Sequence, residues 1–122
     1  MTKEKFSREL RLLTPDNFNK VFETPIRASS PCFTLLANNQ EQKSSRLGLI
    51  VPKKAVKKAV SRNRIKRIIR ENFRKNQIKY PPLDIIFIAK SDITTLNNKQ
   101  ISELFFKLWK IICHRYKKSV AS

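Results

Sequence analysis

The residues best suited to chemistry in this chain form a dense group of cations. The stretch SRNRIKRIIRENFR, residues 61–74, holds six Lys or Arg residues in fourteen positions, and its one acidic residue is Glu71. Five of the six are arginines, whose planar, permanently charged guanidinium matches two phosphate oxygens at once. This composition favours the binding of phosphate groups over acid–base or nucleophilic chemistry.

The segment directly before this stretch carries further positive charge. Residues 53–58 read KKAVKK, and they precede a predicted helix, whose N-terminus attracts anions. Asn63 could contact a base edge or a sugar. The predicted RNA-binding residues are therefore Lys53, Lys54, Lys57, Lys58, Arg62, Asn63, Arg64, Lys66, Arg67 and Arg70.

Residues that could perform catalysis are sparse. Cys113 and His114 are neighbours in the chain and cannot both face one site on a helix, and the two cysteines lack metal-ligand spacing. The single glycine, Gly48, excludes a glycine-rich phosphate loop. The nine carboxylates are scattered. We predict no catalytic and no metal-binding set, with a nuclease using Asp84 or Asp92 as an alternative.

Hydrophobic periodicity places the cations on a helix over residues 57–76. Ile65, Ile68, Ile69 and Phe73 recur at the spacing of a helix that buries one stripe. The opposite side is almost uniformly cationic. A solvated face normally mixes signs, because like charges four residues apart oppose helix formation by a few tenths of a kcal/mol. The pattern therefore favours a polyanionic partner over a plain solvated face.

The remaining elements predict an α+β sandwich of helices on a small sheet. Phe18, Val21 and Phe22 form an apolar stripe, and the two phenylalanines are either core residues or a platform on which bases stack. The polar segment 38–45 predicts a hairpin between the strands that flank it. The predicted elements are a helix at 14–24, strands at 32–37, 46–51 and 83–90, and a final helix at 98–118.

Length and charge limit the function further. The 122 residues suit one domain, residues 1–122, and 27 basic against 9 acidic residues give a net charge of +18. A nucleic acid would relieve the resulting repulsion, and an anionic membrane surface is the other candidate. The core needs the apolar stripe of the basic helix, which argues against the membrane. We see no secretory signal or membrane span and expect a cytoplasmic protein.

The segment RLGLIVPKKAVKKAVSRNRIKRIIRENFR, residues 46–74, resembles the protein subunit of bacterial ribonuclease P. That family carries a Gly-x-x-Val strand end, then Lys-Lys, then Arg-Asn-Arg-x-Lys-Arg. The upstream DNFNKVF, residues 16–22, resembles the first helix of the family. The similarity spans nearly the whole chain.

The resemblance implies a fold and a function. It implies an α-β-β-β-α-β-α order, a four-stranded sheet with the missing strand near residues 27–30 or within the hairpin, and a left-handed crossover around the basic helix. It implies a partner, the catalytic ribonuclease P RNA, bound as one RNA to one protein. That RNA would remove the 5′ leader of precursor tRNA with Mg²⁺, while the protein itself binds no cofactor, small-molecule substrate or membrane.

The resemblance also implies a leader-binding cleft between the first helix and the sheet. Relatives often carry an aromatic residue where this chain has Leu36, so weaker base stacking is expected here. A ribosomal-type protein that binds rRNA remains the alternative, because the charge predicts it equally well. The positions that match the cleft are Phe18, Phe22, Thr34 and Leu36.

Overall fold

The computed structural model describes residues 15–23, 25–39 and 45–121. Residues 14 and 24 of the predicted first helix and residues 40–44 of the predicted turn lie outside the described residues. Short 3₁₀ segments follow the second helix and the last strand, at Gln77–Lys79 and Ser91–Thr95. In chain order, the elements are α1 (Pro15–Glu23), β1 (Ile26–Ser29), β2 (Phe33–Asn38), β3 (Arg46–Ile50), α2 (Ala59–Asn76), β4 (Asp84–Ala89) and α3 (Asn98–Ala121).

The four strands form one mixed sheet in the order β1-β2-β4-β3. β1 and β2 are antiparallel, as are β2 and β4, whereas β3 runs parallel to β4. The α+β order is confirmed, and β1 supplies the strand expected near residues 27–30. The predicted hairpin between β2 and β3 is wrong, because β4 lies between them. After its first residue, Asp84, β4 is apolar, and five of its six residues are buried. A central position in the sheet buries both faces of such a strand.

The basic helix α2 is the crossover between the parallel neighbours β3 and β4. Parallel strands cannot be joined by a tight turn and need such a connection. The predicted stripe of α2 is confirmed, since Ile65, Ile68, Ile69 and Phe73 are all buried. This packing fixes which side of α2 faces solvent.

α2 and α3 cover one face of the sheet and enclose the larger core. Trp109 of α3 lies at its centre, stacked on Phe73 of α2 with ring centroids 5.3 Å apart and an interplanar angle of 11°. Phe105 and Tyr80 also contact the indole. Trp109 and Phe105 are both fully buried, and Phe106 is half-buried against the same core.

α1 covers part of the opposite face of the sheet. Val21 packs there with Leu36 of β2 and Ile86 of β4 in a second, smaller core. The neighbouring row of the sheet runs from Ser29 and Thr34 to Ile88 and Ile50, and both isoleucines remain half-exposed. α1 therefore leaves that row partly open beside it.

A buried ion pair closes one end of this face. Asp84 is fully buried, and Arg46 donates to its two carboxylate oxygens, from Nε at 2.8 Å and from Nη2 at 2.7 Å. The two residues are partners in the parallel register of β3 and β4. The hydrogen bond to Asp84 raises the pKa of the Arg46 guanidinium above its ordinary value. The pair thus ties the edge strand β3 to the centre of the sheet.

Candidate nucleic-acid interface

The lysines before α2 are presented by a folded loop. The carbonyl of Pro52 accepts from the backbone N–H of Ala55 at 3.1 Å and of Val56 at 2.9 Å. The Val56 side chain is fully buried and anchors the loop to the core. The charged residues on either side of it point outward. All four lysines are exposed: Lys53, Lys54, Lys57 and Lys58.

The first turn of α2 is open to an anion. Lys58 occupies the N-cap position, no side chain of the described residues caps the helix, and the first turn contains no acidic residue. The first N–H groups of a helix have no intrahelical partner and carry partial positive charge. A concavity of 470 Å³ lies here, with three lysines and three hydroxyl-bearing residues in its lining. The lining residues are Lys54, Ala55, Val56, Lys57, Lys58, Ser61, Ser91 and Thr94.

Arg62 holds the loop against the helix. Its Nη1 donates to the carbonyl of Val56 at 2.9 Å and to that of Lys57 at 2.8 Å. The side chain is half-buried, so part of the guanidinium still faces solvent. Arg62 therefore positions residues 53–58, which we call the lysine loop, and also adds charge to this surface. The sequence alone did not indicate this positioning role.

Replacing Arg62 with Ala is expected to lower the free energy of unfolding by about 1–3 kcal/mol, because two hydrogen bonds from a charged donor are lost. Chemical denaturation measures this, and amide hydrogen exchange of residues 55–58 should accelerate. The matched control is Arg67→Ala, which removes an exposed arginine of the same helix. Equal stability of the two variants would contradict the positioning role.

The rest of the predicted basic face is accessible in the monomer. Asn63 and Arg67 are exposed, and Lys66 and Arg70 are half-buried. Arg64 is half-buried and donates to the side chain of Asn98, the first residue of α3. The structure thus brings the predicted RNA-binding residues together on α2 and the preceding loop, with none of the ten enclosed in the core.

The predicted leader cleft lies on the other face of the sheet. Phe18 is half-buried against the smaller core, while Phe22 is 45% exposed. Thr34 lies in the partly open row but is itself buried, and its hydroxyl is 2.9 Å from that of exposed Ser29. Leu36 is buried with Val21 and forms part of the floor that supports α1.

Lys90 lies at the edge of this cleft and was not among the residues predicted from the sequence. Its Nζ donates to Ser29 Oγ at 3.0 Å and to the carbonyl of Ser30 at 2.8 Å. These partners lie 61 and 60 positions earlier in the chain. Only the strand register, which pairs Ser29 with Thr34 and Thr34 with Ile88, brings them to Lys90.

The candidates for protein-based catalysis do not assemble. Asp84 is fully buried in its ion pair and begins β4, whereas Asp92 is exposed and follows the end of that strand. A strand of six residues separates them by roughly 17 Å. Burial raises the pKa of the Cys113 thiol to about 11, which keeps it protonated at neutral pH. Within residues 15–23, 25–39 and 45–121, no group of three or more His, Cys, Asp or Glu side chains could hold a metal ion.

In the part of the chain that the structure describes, no helix combines the length and apolarity needed to cross a bilayer. The longest described helix, α3, has 24 residues but carries charged side chains along its exposed side.

Fold and surface together define a class: a small α+β protein in which the helix that connects two parallel strands carries an exposed cationic surface. The chain belongs to the ribonuclease P protein family, since residues 6–113 match the Ribonuclease P family model. A curated relative from Vibrio campbellii, named ribonuclease P protein component, is 51% identical over 104 residues, which cover 85% of this chain and 88% of the relative. Membership implies involvement in an RNA-processing endonuclease that has an RNA partner.

Solved structures agree with this assignment. The RNase P protein of Staphylococcus aureus is 32% identical, with a TM-score of 0.77 over 84% of this chain and 94% of that chain. The Thermotoga maritima RNase P protein, solved in complex with 1-(4-fluorophenyl)-2-thiourea, is 29% identical, with a TM-score of 0.71 over 80% of this chain and 96% of that chain. The sheet and helices described above are therefore those of the family.

Proposed function

We propose that this protein is the subunit of ribonuclease P that binds the catalytic RNA and the 5′ leader of precursor tRNA, and so promotes endonucleolytic removal of the leader. The observation that carries the proposal is the exposed start of α2. There, four lysines surround a helix end whose first turn holds no acidic residue and which no described side chain caps. Such a surface binds phosphate by charge and by N–H donors together.

The loop and α2 would contact the ribonuclease P RNA. The lysines supply flexible point charges, and exposed Arg67 supplies a planar guanidinium suited to two phosphate oxygens. Arg62 and Arg64 also hold the loop and the start of α3 in place. Because their own contacts fix the loop and the helix, the cationic groups are arranged before RNA binds. We propose one RNA per protein.

The leader would lie along the open row of the sheet beside α1. Phe22 is exposed enough to stack on a base. Exposed Ser29 and half-buried Lys90 offer a hydroxyl and an ammonium there, beside the buried Thr34. Leu36 supports this surface from below and offers no ring for stacking, so the leader contact rests on Phe22 and the polar groups.

The bond-breaking step is assigned to the RNA. Mg²⁺ is the metal that the family resemblance implies, and carboxylate oxygens are the protein ligands it prefers. In the described residues the carboxylates do not converge, and Asp84 is already ion-paired. We therefore propose that RNA and substrate phosphates hold the ion, and that the protein acts in the cytoplasm by binding and orientation.

The test reconstitutes the enzyme from purified parts at low Mg²⁺. Protein, a bacterial ribonuclease P RNA and a precursor tRNA with a short leader are combined, and the 5′ cleavage rate is measured. Addition of the protein is expected to raise the rate well above that of the RNA alone, because bound cations replace part of the Mg²⁺ that screens RNA–RNA repulsion. Protein freed of RNA should not cleave. An unchanged rate with protein present would overturn the proposal.

A further inference from the structure

A second basic surface lies on α3, away from the residues assigned so far. Lys110, His114 and Lys117 recur at four- and three-residue spacing, and all three are exposed. Lys79, from the 3₁₀ segment after α2, lines the same concavity. We call these four residues the α3 ridge. From residue 104 to residue 122 the sequence contains no Asp or Glu, so no acidic neighbour follows on the helix.

The α3 ridge surrounds a depression in the surface. The concavity has a volume of 270 Å³, and none of its lining residues, all of them described, is a carboxylate. Cys113 and Tyr80 form part of its wall, and burial raises the pKa of each, which leaves both neutral. The four ridge positions come from two separate elements. The lining residues are Lys79, Tyr80, Pro81, Lys110, Cys113, His114 and Lys117.

Convergence distinguishes this surface from an ordinary solvated helix face. Lysines that point freely into water separate and avoid repulsion, whereas three lysines around one depression repel each other. Lys107 is different, because Glu103 lies four residues before it and such a pair stabilises a helix. The unrelieved charge on this side of α3 is therefore concentrated in the α3 ridge.

The α3 ridge and the lysine loop lie at opposite ends of α2. Lys58 precedes the first residue of α2, and Lys79 follows its last residue by three positions. Eighteen helical residues span roughly 27 Å, so one phosphate group cannot contact both. The leader cleft is on the other face of the sheet from α3. Basic residues continue along the chain from the last turn of α2, which holds Arg74 and Lys75, to Lys79 of the α3 ridge.

We infer that the α3 ridge is a second contact for the phosphate backbone of the ribonuclease P RNA, separate from the contact at the start of α2. The inference rests on the proposed function. Continuity with α2 favours this RNA over precursor tRNA, whose leader is assigned to the opposite face. Lys110 and Lys117 are two helical turns apart, about 10 Å, so the α3 ridge can contact more than one phosphate.

The test replaces Lys79, Lys110 and Lys117 together with glutamine and measures equilibrium binding to the ribonuclease P RNA over a range of salt concentrations. Each lost phosphate contact lowers the slope of log affinity against log salt by roughly 0.7–0.9. Three such contacts correspond to a reduction of about two units in the slope. The same three positions changed to arginine retain charge and should retain the slope.

A matched control removes equal charge elsewhere, by changing the exposed residues Lys20, Arg27 and Lys107 to glutamine. This variant should bind with nearly the wild-type slope. Equal losses in the two glutamine variants would show a general charge effect and overturn the inference. A loss of affinity that appears only when precursor tRNA binds the assembled complex would also overturn the inference. If the wild type neither binds the RNA nor promotes cleavage, the proposed function itself fails.

Discussion

Changing Lys53, Lys54, Lys57 and Lys58 together to glutamine is expected to weaken binding of the ribonuclease P RNA about a thousandfold at roughly 0.1 M salt. Each phosphate contact contributes roughly 0.7–0.9 to the slope of log affinity against log salt. Salt concentration changes roughly tenfold between 0.1 M and 1 M, so four contacts account for about three orders of magnitude in affinity. Filter binding across a salt series measures both the affinity and the slope.

The control for this prediction keeps the charge. Arginine at the same four positions should leave the slope unchanged, while the affinity shifts only modestly. Because all four side chains are exposed, the glutamine variant should fold with unchanged stability, which urea denaturation checks. Wild-type affinity in a folded glutamine variant would show that the lysine loop faces solvent in the complex.

Replacing Asp84 with Asn is expected to destabilise the protein by about 2–4 kcal/mol. The carboxylate is fully buried and receives two hydrogen bonds from Arg46. Asn cannot accept both, and the Arg46 charge loses its partner, which costs about 3–5 kcal/mol in a fully buried pair. The Arg46 side chain retains 25% exposure, so solvent offsets part of the loss. The midpoint of urea unfolding should fall with an unchanged m-value.

A double variant separates the ion pair from packing at this site. Arg46→Met with Asp84→Leu removes both charges and should recover most of the lost stability, because replacing both partners of a buried pair with apolar groups is often nearly neutral.

Under conditions where the Asp84→Asn variant remains folded, it should support normal cleavage with the RNA. Cleavage by RNA-free protein that disappears in Asp84→Asn would instead restore the nuclease alternative.

The sequence predicted the helices better than the strand pairing. The stripe of Ile65, Ile68 and Phe73 is a local pattern, and local periodicity is sufficient to orient a helix. The neighbours of β2 depend on packing across the whole sheet, which no turn signal encodes. β1 is only four residues long and alternates without strong apolarity, so its position came from the family resemblance. The handedness of the crossover stays a prediction.

The same difference between local and long-range features applies to the predicted RNA-binding and leader-binding residues. The composition of residues 53–58 predicted that their lysines are exposed. The structure describes all six residues, and Val56 is the one fully buried side chain among them. The sequence did not predict contacts between positions that are far apart in the chain. The partners Arg46 and Asp84 are separated by 38 positions, and Lys90 lies 61 positions from Ser29. Such pairs depend on strand register, which single residues do not reveal.

The uncapped start of α2 makes the stability of this protein depend on its ligand. Phosphates that occupy the free N–H groups bind the folded helix and not the unfolded chain, so folding and binding are thermodynamically linked. At a roughly hundredfold excess of ligand over Kd, the linkage adds about 2.7 kcal/mol to the folded state. Under the proposed function, protein without bound RNA is therefore expected to melt at a lower temperature and to be cut sooner by proteases than protein in the complex.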